Sequence, residues 1–285
     1  MLRDLDELMT SGDELLAPYG TVDLVTIYHY TSIQALKSIV ETRSIWCSNI
    51  KYSNDPSEVI YGYELVEALV REKLPGPAAQ RVIEYMVGSE FFAASFSLNP
   101  DSLPQWRAYC RNGRGLALGL SVEVLSAMRQ FRCVRMVYDP EQQRHLAGTL
   151  LDIFAPAVVQ YQSHDDVTLD AFSGELGARL LALNGMFKSE AYRSEEEVRL
   201  YDTWRPYWGE PEPVTQFRAT TDALIPYVVA NLADSASARV DQPFERICIG
   251  PFLDDSVQAA LELFLKRQKQ TTVTLQKSEV RMRPE

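Results

Sequence analysis

Glu195, Glu197 and Arg199 stand at alternate positions in Ser189-Glu190-Ala191-Tyr192-Arg193-Ser194-Glu195-Glu196-Glu197-Val198-Arg199-Leu200-Tyr201, where carboxylates run straight into a strand-like segment. Side chains of a strand alternate between faces, so Glu195, Glu197, Arg199 and Tyr201 share one face, and Glu196, Val198 and Leu200 the other. Carboxylates two residues apart lie about 7 Å apart along such a strand. With an arginine next in line they can hold a charged or hydroxyl-rich ligand. A solvated edge strand gives the same pattern.

Two other strand-like segments carry polar chemistry. Tyr28-His29-Tyr30-Thr31-Ser32 puts His29 where a strand hands over to a capped helix, a common binding position that also suits a histidine packed and hydrogen-bonded for structure alone. In Ser95-Phe96-Ser97 both hydroxyls face one side of an otherwise apolar segment, either lining a site or bonding neighbouring backbone. Gln105-Trp106-Arg107 followed by Arg111-Asn112-Gly113-Arg114-Gly115 offers an aromatic plane and guanidinium forks, which suit a nucleotide's ring and phosphates. No Gly-x-Gly-x-x-Gly, Gly-Lys-Ser/Thr or Gly-x-Ser-x-Gly motif occurs, so a dinucleotide fold, a kinase-type phosphate loop and a hydrolase elbow are unsupported. Cys47, Cys110, Cys133 and Cys248 form no Cys-x-x-Cys pair, and His29, His145 and His164 sit far apart, so no metal site is expected.

The chain has 285 residues, 46% of them hydrophobic, enough to bury a full core as one large domain or two small ones. Its formal net charge of −11 disfavours nonspecific binding to nucleic acid or anionic membrane, because phosphates demand a basic surface. Two local exceptions are Arg107, Arg111 and Arg114, and Arg129, Arg132 and Arg135. No apolar run approaches a membrane span, and Met1 to Thr10 does not read as a secretion signal, so a cytoplasmic protein with reduced thiols is expected.

These residues need elements to position them. Periodicity predicts helices over Leu2–Leu16, a segment capped by Ser32, Ser57–Glu72, Ala78–Val87, most of Asp139–Leu183 with a break around Ser163–Asp166, and Asp254–Lys269. Tyr52 to Pro56 reads as a turn. Strands are predicted at Val25–Tyr30, Ile45–Ser48, Phe91–Leu98, Gly115–Ser121, Val134–Tyr138, Val198–Tyr201, Val214–Phe217, Ile225–Val229, Ile247–Ile249 and Thr271–Leu275. Strands in two groups around a helical middle argue for an α+β fold with an antiparallel or mixed sheet. No linker divides the chain, so one domain over 1–285 is expected, with an N-terminal helical arm at 1–20 and a helical insertion at 139–183.

Taken in order, Tyr28-His29-Tyr30-Thr31-Ser32, Asn54-Asp55-Pro56-Ser57-Glu58, Ser95-Phe96-Ser97, Gln105-Trp106-Arg107-Ala108-Tyr109, Glu195-x-Glu197-x-Arg199 and Ile247-Cys248-Ile249-Gly250-Pro251 resemble a bacterial family of unknown function, from about Tyr28 to Leu275. That family in turn resembles the ADP-ribosyltransferase superfamily. The resemblance implies a split sheet and a chain that consumes NAD to modify a macromolecular acceptor, in a bacterial toxin or phage-defence setting. It implies that His29 holds the nicotinamide ribose or amide, Ser95 braces the site and Glu197 contacts a ribose hydroxyl. Glu195 would orient the accepting nucleophile, and Arg199 would keep Glu197 ionised. Tyr30 and Trp106 would stack on nicotinamide, with Ser97 and Arg107 as further cofactor-binding candidates. His29 matches one branch of the superfamily and the Ser-x-Ser and Glu-x-Glu strands the other, which leaves the acceptor open. Two other readings stand beside it: a metal-dependent nuclease or phosphoesterase built on Asp55, Glu58, Glu195 and Glu197, against which no lysine is expected beside the Glu195–Glu197 strand, and a non-catalytic module that binds a nucleotide or a protein.

Overall fold

A computed structural model describes residues 5–21, 23–52, 56–161, 166–204 and 213–281. In chain order the elements are α1 (Leu5–Leu16), β1 (Thr26–Thr31), α2 (Ile33–Thr42), β2 (Ser44–Asn49), α3 (Pro56–Lys73), α4 (Gly76–Gly88), β3 (Glu90–Ser97), α5 (Leu103–Tyr109), β4 (Leu116–Ser121), α6 (Val122–Ser126) and β5 (Arg132–Arg135). Then follow α7 (Pro140–Tyr161), α8 (Asp166–Met186), β6 (Glu197–Trp204), β7 (Gln216–Ala219), β8 (Leu224–Asn231), β9 (Phe244–Ile249), α9 (Asp255–Arg267) and β10 (Thr274–Lys277). The fold is α+β, as its pattern predicts.

Local signals set several boundaries. Ser32 caps α2 by accepting the Ala35 N–H at 3.1 Å, and Asp254 caps α9 through Ser256 N–H at 2.8 Å. Of the expected turn at Tyr52 to Pro56, residues 53–55 lie outside the described residues, as do 163–165 of the expected break.

The strands form a mixed, mostly antiparallel open sheet in the order β10-β9-β4-β1-β3-β2-β8-β7, with β6 pairing β3 and β5, and, among the described strands, only β9 and β10 parallel. The sheet branches at β3. One edge of β3 pairs with β6 along its length, from Glu90↔Trp204 to Ser97↔Glu197. The other edge meets β1 only at Tyr28↔Ser97 and β2 only at Ser48↔Ala93 and Asn49↔Phe92. Between those points β1 and β2 diverge and the sheet is split.

Two apolar cores flank the sheet. Helices α1, α3, α4, α7 and α8 bury Val66, Val70, Val82, Leu150, Phe154 and Leu180 against Phe91 and Tyr201 of β3 and β6. On the other face, α2 and α9 bury Leu36, Val40, Leu261 and Leu265 against Ile27, Phe92, Phe96, Val198 and Ile247. Residues 139–183, expected as a helical insertion, supply α7 and α8, which pack on α3 and α4 in the first core.

Strands β7 and β10 begin later than expected, β7 at Gln216 and not Val214, and β10 at Thr274 and not Thr271, and two other elements are corrected where they bear on the site. The strand expected at Val134–Tyr138 lies earlier, at Arg132–Arg135, because its partner is β6 and the ladder ends at Arg135↔Val198. Glu195 is not on a strand at all. It ends a 3-10 turn, Glu190–Glu195, and Glu196 then takes a left-handed φ of 44° that an extended strand does not accommodate. Nor is β6 a solvated edge, since β3 and β5 flank it and Glu197 to Tyr201 are buried.

Candidate functional site

A cleft of about 480 Å³ opens at the split between β1 and β2. Paired residues of antiparallel strands share a face. His29, Ile45 and Ala94 therefore reach it from the α2 side of the sheet, and Ser95, Ser48 and Arg199 from the α8 side.

His29 bridges the gap where the ladder is interrupted. Its Nδ1 lies 2.9 Å from the Ser95 carbonyl oxygen, and its ring packs tilted against Phe96 at 5.5 Å. A carbonyl only accepts, so the proton sits on Nδ1 and the lone pair on Nε2. Burial lowers the His29 pKa, while the bond to Ser95 works in the opposite sense, so the ring is neutral near pH 7. The Ser95 side chain is exposed in the same cleft.

The floor is a buried cluster of four charges. Lys188 Nζ donates to Glu195 Oε2 at 2.6 Å and to Glu197 Oε2 at 2.8 Å, and Arg199 Nε donates to Glu197 Oε1 at 2.7 Å. Arg199 also donates to the Gly185 carbonyl at 2.7 Å. Lys188, Glu197 and Arg199 are 2%, 4% and 3% exposed, so none would remain charged without the others. Burial raises the Glu197 pKa, but Arg199 and Lys188 outweigh it through charge and hydrogen bonds and bring it down to about 2. The carboxylate is thus ionised at neutral pH.

Lys188 is held in turn by Gln143 of α7. That side chain is wholly buried, and its Nε2 donates to the carbonyls of Val137 at 2.6 Å and Lys188 at 2.9 Å. Its Oε1 accepts from the Tyr61 hydroxyl at 3.0 Å. The Tyr138 oxygen accepts the Glu197 N–H at 2.8 Å, and burial, opposed in part by that bond, moves its pKa up to about 12.

Elsewhere the cleft is lined by aromatic rings and a cation. Trp46 stacks on Tyr227 at 4.4 Å and is 47% exposed, while Tyr52 and Tyr109 also present exposed rings. Arg218 reaches in from β7 with only a long bond to Ser48 Oγ, 3.4 Å, and no carboxylate partner among the described residues.

His29, Ser95, Glu197 and Arg199 therefore line one cleft, and Glu195 joins them through Lys188. Other candidates lie elsewhere. Tyr30 and Trp106 pack edge to face at 4.8 Å inside a small core with Tyr28, Cys110 and Cys248. Trp106 is 0% exposed, with Nε1 donating to Asp101 at 2.6 Å, and the Tyr30 hydroxyl bridges Asn99 O and Ser102 N. A ring with no accessible face cannot stack on nicotinamide, so that expectation fails on burial. Ser97 is buried too. Its hydroxyl donates to the Glu195 carbonyl at 2.8 Å and accepts the Asn99 N–H at 3.2 Å, which secures the wall behind the cleft. Arg107 is exposed on α5 and does not line the cleft.

Lys188 also corrects the expectation that no lysine adjoins the carboxylates. Its signal was present: the end of α8 and Phe187 after it make the largely apolar run Leu180-Leu181-Ala182-Leu183-Asn184-Gly185-Met186-Phe187, so a charge directly after that run, at Lys188, emerges near the interior and needs partners there. Trp46, Tyr52, Tyr109, Gln143 and Arg218 carry no comparable local signal. For the metal reading, an ammonium already spans the facing carboxylate oxygens, and among the described residues no group of three His, Cys, Asp or Glu could hold a metal ion. Asp55 lies outside the described residues, as does the Glu58 side chain.

No helix among the described residues is long and apolar enough to cross a membrane. No curated protein and no solved structure matches the chain. Residues 105–200, which run from α5 to β6 and hold Gln143, Lys188, Glu195, Glu197 and Arg199, match the model of a family described as a protein of unknown function, DUF2971.

Proposed function

We propose that the chain consumes NAD at the split-sheet cleft, as an ADP-ribosyltransferase acting on a macromolecular acceptor. The observation that carries this is the meeting of His29, Ser95 and Glu197, from three separated segments, around one cleft whose floor is a fixed carboxylate. The polarity of the cleft supports it: an ionised Glu197 suits a centre that becomes positive, and Arg218 with the exposed face of Trp46 suits phosphate and a flat ring.

Breaking the bond between nicotinamide and ribose leaves positive charge on the ribose carbon as the pair of electrons departs with nicotinamide. Glu197 stabilises that charge, and it pays no reorganisation because Lys188 and Arg199 already hold it in place. His29 offers Nε2 as an acceptor for a ribose hydroxyl or the carboxamide N–H. Glu195, held by the same lysine, is on this reading the group that directs the attacking nucleophile.

Nicotinamide release from NAD tests the proposal, measured in wild type and Glu197→Gln, with and without cell lysate, in EDTA. Release should fall about 10²- to 10³-fold in the variant, persist in EDTA and rise with lysate. Equal release by a folded Glu197→Gln would sink it. The burial and saturation of Glu197 favour one second reading, a module that binds a nucleotide without turnover. Calorimetric NAD binding without release would select it.

A further inference from the structure

We propose that a second cleft, between α1, α8 and the β5–β6 pair, binds a small phosphate-bearing ligand. It measures about 440 Å³, within the range of small-molecule sites. Its charges divide into committed and uncommitted groups. Asp13 and Glu175 both bond Arg179, at 2.9 and 2.7 Å, and Asp202 accepts from Gln130 at 2.8 Å. The Arg129 and Arg132 side chains are exposed in the lining, and neither has a carboxylate partner among the described residues. The acids of the lining are each bonded by a neighbour in the same wall, while two further guanidinium groups face the concavity, in a chain whose net charge is −11.

The backbone fixes where one of these groups starts. Arg132 pairs with Tyr201 across β5 and β6, so it stands on the sheet face that packs under α8. Thr21 and Ser126, whose hydroxyls bond each other at 3.2 Å, add donors to the same lining. Guanidinium forks match the oxygens of phosphate, and a phosphate gathers three oxygens on one centre, which suits two forks and a hydroxyl pair better than the two oxygens of a carboxylate. Because the ligand is held by charge and not by the first cleft's chemistry, this site stands whether or not the chain consumes NAD.

Calorimetric titration with pyrophosphate at low ionic strength tests it, using Arg218→Ala, in which the first cleft has lost its phosphate-suited cation, with and without the double change Arg129→Ala/Arg132→Ala. Thermal melts confirm that each is folded; the replaced side chains are exposed or part-exposed and carry no structural ion pair. Saturable binding is expected in Arg218→Ala, weakened about tenfold or more when the double change is added, by loss of two charge-assisted contacts. Succinate should bind at least about tenfold more weakly than pyrophosphate. No saturable binding by Arg218→Ala, or equal binding with and without the double change, would overturn the site. Succinate binding as tightly would overturn its phosphate selectivity, and tighter binding of a 5′-phosphorylated oligonucleotide would overturn its small-molecule character.

Discussion

Glu197 is almost wholly buried yet accepts hydrogen bonds from two cations, and the second effect decides its charge. Its folded pKa, about 2, lies below the ordinary 4.5. The stability this contributes is present above pH 4.5 and is lost as pH falls toward 2, by on the order of 3 kcal/mol. Urea midpoints followed downward from pH 7 should therefore drop through that window, and the drop should be shallower in Glu197→Gln. Lys188 carries a sharper prediction. Lys188→Met removes the cation between Glu195 and Glu197 and leaves Arg199 as the cation on buried Glu197, and should cost about 3–5 kcal/mol in urea unfolding. Adding Glu195→Gln should recover part of that loss, because it removes the repulsion that the lysine had cancelled.

Elements place these residues by close packing. Gly185, on the last turn of α8, lies so near the Phe91 ring that a Cβ there would run into it, and its carbonyl receives Arg199. Gly185→Ala should destabilise by about 1–3 kcal/mol through overpacking and disturb the seat of Arg199; a melt combined with NAD affinity would register both effects. At the other side of the cleft, Ser32 caps the helix that supplies Ala35, Ser38 and Ile39 to the lining. Ser32→Ala should cost about 1 kcal/mol with little effect on the charged floor, whose hydrogen bonds run among Lys188, Glu195, Glu197, Arg199 and Gly185.

At the scale of the molecule, β3 and β6 tie the two cores together. Phe91 and Tyr201 belong to the helical core, while Phe92, Phe96, Val198 and Leu200 on the same strands belong to the other. Neither core keeps its sheet face if the other melts. Urea transitions followed by tryptophan fluorescence and by far-ultraviolet circular dichroism should coincide, and separated midpoints would show two independent units.

Much of this was legible in the sequence because periodicity and capping are local. Strands β1, β3 and β6, the caps at Ser32 and Asp254, and the alternation that sets Glu197 and Arg199 on one face follow from residues within a few positions of each other. Alternation alone could not place Glu195, because a left-handed Glu196 interrupts it. It also could not tell an exposed tyrosine from a buried one: Tyr30 and Trp106 close a core, while Trp46, Tyr52 and Tyr109 line the cleft. The meeting of Lys188 with the carboxylates, the branching of the sheet at β3 and the approach of Arg218 to Ser48 were decided by tertiary structure. Those contacts depend on how layers pack across long stretches of chain, and a buried charge takes its partner from whatever packing brings within reach.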